Sequence, residues 1–195
     1  MAITGGIGAG KSTALAAFRR HGAATVSSDE IVHHLLATDD TVRDALVARL
    51  GSQILGSDGR PDRDAIGRIV FRDRAALTFL EQLLHPLVSR EYLQWRDRLA
   101  QLDTPPRVCV TEVPLLYESG AEGRFDRVVV VTAPRRLREA RRLTPIDERE
   151  QRLLPDREKV RKADYHYRNV GTEDELDAWV AALMHRLSQA SPEKD

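Results

Sequence analysis

Short, nearly continuous apolar runs along the chain predict strands that are buried on both faces, as in a parallel sheet. Residues 108–113 and Val128–Thr132 are the clearest of these runs. Residues 23–28 form a third, and Ala2–Thr4 is a very short run that ends at a group of glycines. Tyr165–Arg168 is a weaker fifth. The pattern therefore predicts five strands.

Between these runs, apolar residues recur at helical spacing. Residues 11–21 and a basic stretch at 135–162 are predicted to be helical, as is a final amphipathic helix around Trp179 and Leu183. From residue 29 to about residue 100 the helical pattern is almost unbroken. The apolar spacing of Ile31, Leu35 and Leu36, and then of Val42, Leu46 and Leu50, supports helix. Further helices are predicted at 66–71, 75–84 and 87–102.

Strands that alternate with helices predict an α/β fold with a five-stranded parallel sheet flanked by helices. The helical block lies between the second and third strands, where a single crossover helix would suffice, so it is predicted to be an insertion. We expect one domain, with a nucleotide-binding core at about 1–29, 107–134 and 163–195. The helical substrate-binding insert is placed at about 30–103 and a basic lid at about 135–160.

A glycine-rich loop connects the first strand to the first helix. Residues 5–13 read Gly-Gly-Ile-Gly-Ala-Gly-Lys-Ser-Thr, which satisfies the P-loop pattern G-x-x-x-x-G-K-[ST]. Glycines let the backbone N–H groups point at phosphate oxygens, and the following helix adds its positive dipole end. Lys11 is expected to reach the β- and γ-phosphates of a nucleotide, and Ser12 to ligate Mg²⁺.

P-loops occur in GTPases, motor ATPases and small-molecule kinases, so the loop predicts the nucleotide and not the reaction. The chain is short, has no Asn-Lys-x-Asp guanine motif, and carries its helical insert directly after the second strand. These features favour a small-molecule kinase with a P-loop kinase fold.

Composition narrows the choice of partners. The chain has 195 residues, and its 30 basic residues balance 30 acidic ones, so no net charge favours nucleic acid or an anionic membrane. No apolar run is long enough to span a bilayer and no leader segment is recognised, so we expect a cytoplasmic protein that binds small molecules. The single Cys109 lies in an apolar run, and no histidine pair has zinc-site spacing with cysteines.

Asp29 closes the second strand, and in a parallel sheet the carboxyl ends of strands line the ligand crevice. A carboxylate there could accept the proton of an acceptor hydroxyl during phosphoryl transfer. It could equally be the N-cap of a helix that starts at Glu30. Position alone leaves both roles open.

Seven motifs, in order along the chain, resemble those of the dephospho-coenzyme A kinase family. They are residues 5–13, Val26-Ser27-Ser28-Asp29, Phe71, His85-Pro86, Glu112-Val113-Pro114-Leu115-Leu116 with Glu118, Ala163-Asp164, and Asn169-Val170-Gly171. The Glu-Val-Pro-Leu-Leu and His-Pro elements are far more specific than the P-loop. The resemblance implies transfer of the γ-phosphate of ATP to the 3′-hydroxyl of dephospho-coenzyme A, the last step of coenzyme A synthesis, with ATP and Mg²⁺.

The resemblance also implies roles for individual residues. Lys11 and Asp29 become the catalytic candidates, with Asp29 as the base. Glu112 is expected either to hold Mg²⁺ through water, to help position the acceptor, or to be a buried structural carboxylate. His85 is a candidate for substrate contact, with packing as an equal alternative. The residues expected to bind ATP are Gly8, Ala9, Gly10, Lys11, Ser12 and Thr13.

The basic segment after the fourth strand resembles the start of a kinase lid. Arg138, Arg141 and Arg142 are the candidates for contact with the transferred phosphate, against the alternative of a solvated basic helix face. Asn169 and Gly171 follow the fifth strand and are candidates for an adenine-binding loop, with a plain turn as the alternative.

The chain departs from the family pattern at several points. Ser27 stands where the family has the first acid of Asp-x-Asp, and Glu112 stands where it usually has aspartate. The lid is expected to be shortened and lacks the usual Arg-x-x-Gln pattern. The first strand is short, and residues before Met1 are suspected to be missing. Two other functions remain open: another small-molecule or nucleoside monophosphate kinase, and a non-catalytic nucleotide-binding module. A monomer or a small homo-oligomer is expected.

Overall fold

The computed structural model describes residues 1–141 and 153–189. The chain forms two compact units. We call Met1–Ser27 with Leu99–Asp195 the sheet unit, and Ser28–Arg98 the helical unit. Of the predicted lid, residues 142–152 lie outside the described residues, and so does Arg142.

The sheet unit is built on a parallel sheet whose strands follow the order β2-β3-β1-β4-β5. The strands are β1 Ala2–Thr4, β2 Ala24–Ser27, β3 Cys109–Glu112, β4 Val128–Thr132 and β5 Tyr165–Arg168. β1 is central, and its three residues are fully buried. The predicted five-stranded parallel sheet is confirmed.

The described residues contain eight α-helices. They are α1 Lys11–Arg20, α2 Ser28–Thr38, α3 Asp40–Leu50, α4 Arg63–Val70, α5 Arg74–Ala100, α6 Arg135–Ala140, α7 Asp156–Arg161 and α8 Glu173–Gln189. Short 3-10 helices span Ser52–Ile54 and Glu122–Arg124. Within the described residues, no helix has the length and apolarity to cross a membrane.

Apolar clusters cover both faces of the sheet, which explains why its central strands are buried at nearly every position and mostly apolar. On one face, Phe18 of α1 and Val180 of α8 pack with Ile3 and Val129 of the sheet. The other face carries a smaller cluster around Leu116. Val128–Thr132 is buried at all five positions.

The helical unit contains one long helix where the sequence predicted two. Residues 75–84 and 87–102 were expected to be separate because Pro86 lacks an N–H group and crowds the preceding turn. The structure carries α5 through Pro86 from Arg74 to Ala100. Buried residues occur on both sides of the proline, at Leu84 and Val88, so packing stabilises both halves of one helix.

Candidate nucleotide-binding site

The glycine-rich loop lies between the carboxyl end of β1 and the start of α1, and its conformation requires glycine at three positions. Gly8 has φ 75°. Gly5 has φ 147°, and a Cβ there would collide with the carbonyl oxygen of Val131 on β4. Gly10 has φ 98°, and a Cβ there would collide with the side-chain amide of Asn169. The loop is therefore packed tightly against neighbouring strands.

Gly10 caps α1 without any side-chain hydrogen bond to the first N–H groups, and the first turn carries no acidic residue. The first N–H groups of a helix have no partner within the helix, and the dipole places partial positive charge there. In a P-loop this is where phosphate oxygens bind.

Side chains satisfy the carbonyl groups on the loop. Lys11 Nζ donates to Gly6 O over 3.2 Å. Gly6 O also accepts from Ala9 N over 3.2 Å. Asn169 Nδ2 donates to Ala9 O over 2.9 Å, and its amide is buried. With these carbonyl groups held in this way, N–H groups of the loop other than Ala9 N can face a ligand.

Ser12 and Glu112 meet beside the loop. Ser12 Oγ donates to Glu112 Oε2 over 3.4 Å, and Glu112 is 4% exposed at the end of β3. Ser27 of β2, which stands where the family has an acid, is in register with Glu112 and is also buried. A serine hydroxyl with a nearby carboxylate is the pair that a P-loop uses for Mg²⁺. Among the described residues, no group of three or more His, Cys, Asp and Glu side chains could hold a metal ion.

A pocket of about 380 Å³ opens at the loop. Its lining residues are Gly8, Gly10, Lys11, Ser12, Thr13, Arg141, Asn169, Gly171, Glu173 and Leu176. Eight of these were singled out from the sequence. Glu173 and Leu176 were missed, because α8 was recognised only from the apolar residues of its later turns and its first turn carries no motif. Ala9 is fully buried in the loop.

The basic residues at the start of the predicted lid occupy different environments. Arg141 lines the pocket, and its Nη2 donates to Asn169 Oδ1 over 3.4 Å. Arg138 is only 8% exposed and donates from Nε to Ala133 O over 3.0 Å. Its Nη1 donates to Ile7 O over 3.4 Å.

Histidine and tyrosine side chains on β5 have shifted pKa values. His166 Nε2 lies 2.8 Å from Thr132 Oγ1, and partial burial lowers the pKa of His166, with Arg168 adding to the effect against Asp156. Partial burial raises the pKa of Tyr167. Neither side chain lines the pocket.

Two predicted site residues belong to the helical unit. α2 begins at Ser28, so Asp29 lies inside its first turn and not at the cap position before Glu30. The carboxylate is exposed. His85 is exposed as well, one residue before Pro86 in α5.

Comparison with known proteins identifies the family to which the chain is similar. Residues 1–175 match the family model described as dephospho-CoA kinase. The dephospho-CoA kinase of Frankia casuarinae is 36% identical, with 97% of this chain and 86% of that protein covered. The dephospho-CoA kinase of Symbiobacterium thermophilum is 37% identical, with 92% of this chain and 77% of that protein covered.

Solved structures show the same fold. A Thermus thermophilus protein superposes with a TM-score of 0.74 at 32% identity, covering 95% of this chain and 96% of that one. The dephospho-CoA kinase from Campylobacter jejuni gives a TM-score of 0.71 at 23% identity, with 96% of each chain covered. At 23% identity, the similarity to the Campylobacter jejuni protein shows the fold alone.

Proposed function

The chain belongs to the dephospho-CoA kinase family, and we propose how its residues transfer the γ-phosphoryl group of ATP to the 3′-hydroxyl group of dephospho-CoA. The products are coenzyme A and ADP, and the reaction is the final step of coenzyme A synthesis. The observation that carries the assignment of roles is the P-loop, with Ser12 and Glu112 in contact beside it.

Phosphate binding is assigned to Lys11 and to the loop, whose N–H groups would face the phosphates except that of Ala9, which donates to Gly6 O. The residues concerned are Gly8, Ala9, Gly10, Lys11, Ser12 and Thr13. Lys11 Nζ now donates to Gly6 O, and it must leave that carbonyl to reach the β- and γ-phosphates. The exchange is favourable, because a charge-assisted bond to phosphate is stronger than a bond to a neutral carbonyl, and Gly6 O keeps its bond from Ala9 N.

Mg²⁺ is proposed at Ser12, with Glu112 acting through a bound water. When bound, the ion would neutralise charge on the phosphate oxygens. Glu112 is buried and accepts from Ser12 Oγ, so it orients the hydroxyl that would ligate the metal.

Asp29 is proposed as the base that accepts the proton of the 3′-hydroxyl group. This rests on its match to the second acid of the family motif and on its place in the first turn of α2, where it is not the cap. The residue is exposed at the start of the helix, where an acceptor hydroxyl group could reach its carboxylate. His85, in the same unit, is proposed to contact the acceptor.

Arg141 is proposed to contact the transferred phosphoryl group, because it lines the pocket with Lys11. A guanidinium group there would neutralise charge that develops in the transition state. Asn169 and Gly171 line the same pocket beyond β5 and are proposed to border the adenine.

We propose a cytoplasmic enzyme that acts on two small molecules, binds neither nucleic acid nor membrane, and is a monomer or a small homo-oligomer. Size-exclusion chromatography with light scattering would measure the assembly state.

The test is ADP release in a coupled assay with ATP and Mg²⁺, with and without dephospho-CoA. We expect release that depends on the acceptor, with coenzyme A identified as product by mass. Coenzyme A itself is the matched control acceptor, since its 3′-position already carries a phosphate. Release with another acceptor only would indicate a different small-molecule kinase, and nucleotide binding without any turnover would indicate a non-catalytic module.

A further inference from the structure

We propose that Arg138 is a positioning residue that holds the P-loop in its phosphate-binding conformation by donating to a loop carbonyl group. The inference rests on the proposed nucleotide site and adds to it a residue that does not line the pocket. It concerns how the loop is held before the nucleotide arrives.

Burial and hydrogen bonding distinguish Arg138 from its neighbours on α6. Arg138 is buried, whereas Arg135 on the same helix is exposed and pairs with Glu139. Arg138 donates from Nε to Ala133 O and from Nη1 to Ile7 O. The guanidinium group therefore links the end of β4 to the loop that follows β1.

The loop also packs against Arg138 sterically. A Cβ on Gly6 would lie 2.9 Å from Arg138 Nη1 and 3.5 Å from Asp156 Oδ1. A Cβ on Gly8 would lie 3.0 Å from Arg138 O and 3.3 Å from its Cβ. Gly6 and Gly8 are therefore both packed against Arg138.

Arg138 supplies a hydrogen-bond donor to a carbonyl group of the loop. When the N–H groups of a loop point at a ligand, its carbonyl groups point away and need donors of their own. Arg138 donates to Ile7 O, as Asn169 does to Ala9 O. A loop held in this way binds phosphate without reorganising first, and that preorganisation strengthens binding.

Direct binding of MgADP, measured by titration calorimetry, tests the proposal without any acceptor. We expect Arg138→Ala to weaken MgADP binding by about 10- to 100-fold, the range for a lost hydrogen bond to a charged group. Arg135→Ala is the matched control and should bind like the wild type. Unchanged affinity in Arg138→Ala would overturn the proposal.

Gly6→Ala provides a second and independent probe. The added methyl group should displace the guanidinium group and weaken MgADP binding, although Gly6 does not need a positive φ. In the Arg138→Ala background the same change should cost little, because the displaced group is gone. Equal losses in both backgrounds would show that Gly6 acts on phosphate independently and would contradict the proposal.

Arg138→Lys covers the case in which Arg138→Ala does not fold. Lysine keeps the charge but not the fork that reaches two carbonyl groups. We expect a cooperative melting transition with reduced MgADP affinity, and a raised KM for ATP with an unchanged KM for dephospho-CoA. Wild-type affinity, or an equal change in both KM values, would overturn the proposal. If the wild type binds MgADP but forms no coenzyme A, the proposed function fails while the binding data still decide the role of Arg138.

Discussion

The side-chain amide of Asn169 donates a 2.9 Å hydrogen bond to the carbonyl oxygen of Ala9. The two residues are 160 positions apart in the chain, and the bond ties the segment after β5 to the P-loop. The same amide lies where a side chain on Gly10 would have to be.

Asn169→Asp should therefore raise the KM for ATP. Aspartate keeps an acceptor for Arg141 but replaces the Nδ2 donor with an oxygen that faces Ala9 O. Losing a buried hydrogen bond and opposing two acceptors costs about 1–3 kcal/mol, which is roughly 5- to 150-fold in affinity. Steady-state kinetics with varied ATP measure the effect, and Val170→Ala, at an exposed neighbouring position, is the control. An unchanged KM would contradict the role of this bond.

Asp29→Asn should lower kcat by about 10²- to 10⁴-fold with little change in melting temperature, since the amide cannot accept the acceptor proton. Glu30→Gln, one residue along the same exposed first turn, should retain activity. A lower melting temperature with an unchanged turnover rate would instead give Asp29 a structural role.

Glu112→Gln should raise the Mg²⁺ concentration needed for half-maximal rate by about 10- to 100-fold, because groups that orient a metal ligand have effects of that size. Excess Mg²⁺ should restore part of the rate. Glu112→Asp keeps the carboxylate and is the matched comparison. Identical Mg²⁺ titrations for the wild type and Glu112→Gln would refute the link between Glu112 and the metal.

Removing Glu118 from its ion pair with Lys159 should cost more stability than removing Lys159. Lys159 is fully buried with Nζ 2.8 Å from Glu118 Oε1, while Glu118 is 17% exposed and also accepts from Leu154 N. Glu118→Ala leaves a buried cation without this partner and should lower the free energy of unfolding by about 3–5 kcal/mol. Lys159→Met leaves a partly exposed carboxylate that keeps its bond from Leu154 N, so it should cost less. Urea unfolding of both variants checks the order, and the reverse order would be inconsistent with this account.

Tyr117→Phe should stabilise the protein. The hydroxyl group of Tyr117 is buried and has no hydrogen-bond partner among the described residues. Removing it should raise the free energy of unfolding by about 1 kcal/mol at neutral pH. Burial, with Glu122 and Asp164 nearby, raises the pKa of Tyr117 to about 12. Because the unfolded tyrosine ionises near pH 10.0, wild-type stability should fall as the pH rises from there through about 12, and the variant should lack this contribution. Urea unfolding of both proteins at neutral pH and between about pH 10 and 12 tests this. A variant that is less stable than the wild type at neutral pH would indicate that the Tyr117 hydroxyl group has a hydrogen-bond partner.

Local patterns were sufficient for most of the sheet unit. Nearly continuous apolar runs predicted the buried strands, because strands covered on both faces are mostly apolar, whereas β5, with alternating burial, gave a weaker signal. Pro86 misled the prediction of α5, since the cost of a proline within a helix was outweighed by packing on both sides of it. Glu173 and Leu176 were missed as pocket residues, because nothing local marks them.

The phosphate-binding loop, the parallel α/β fold and the family could all be predicted from the amino-acid sequence, since each depends on residues that are adjacent or periodic along the chain. The side chains that hold the loop became known only from the folded structure. Arg138 and Ile7 are 131 positions apart, and no spacing rule relates such residues before the strands pair. Arg138 and Arg141 look alike in sequence, yet burial makes Arg138 a donor to Ile7 O of the loop, while Arg141 lines the pocket. Desolvation and hydrogen-bond geometry, which arise only on folding, separate their roles.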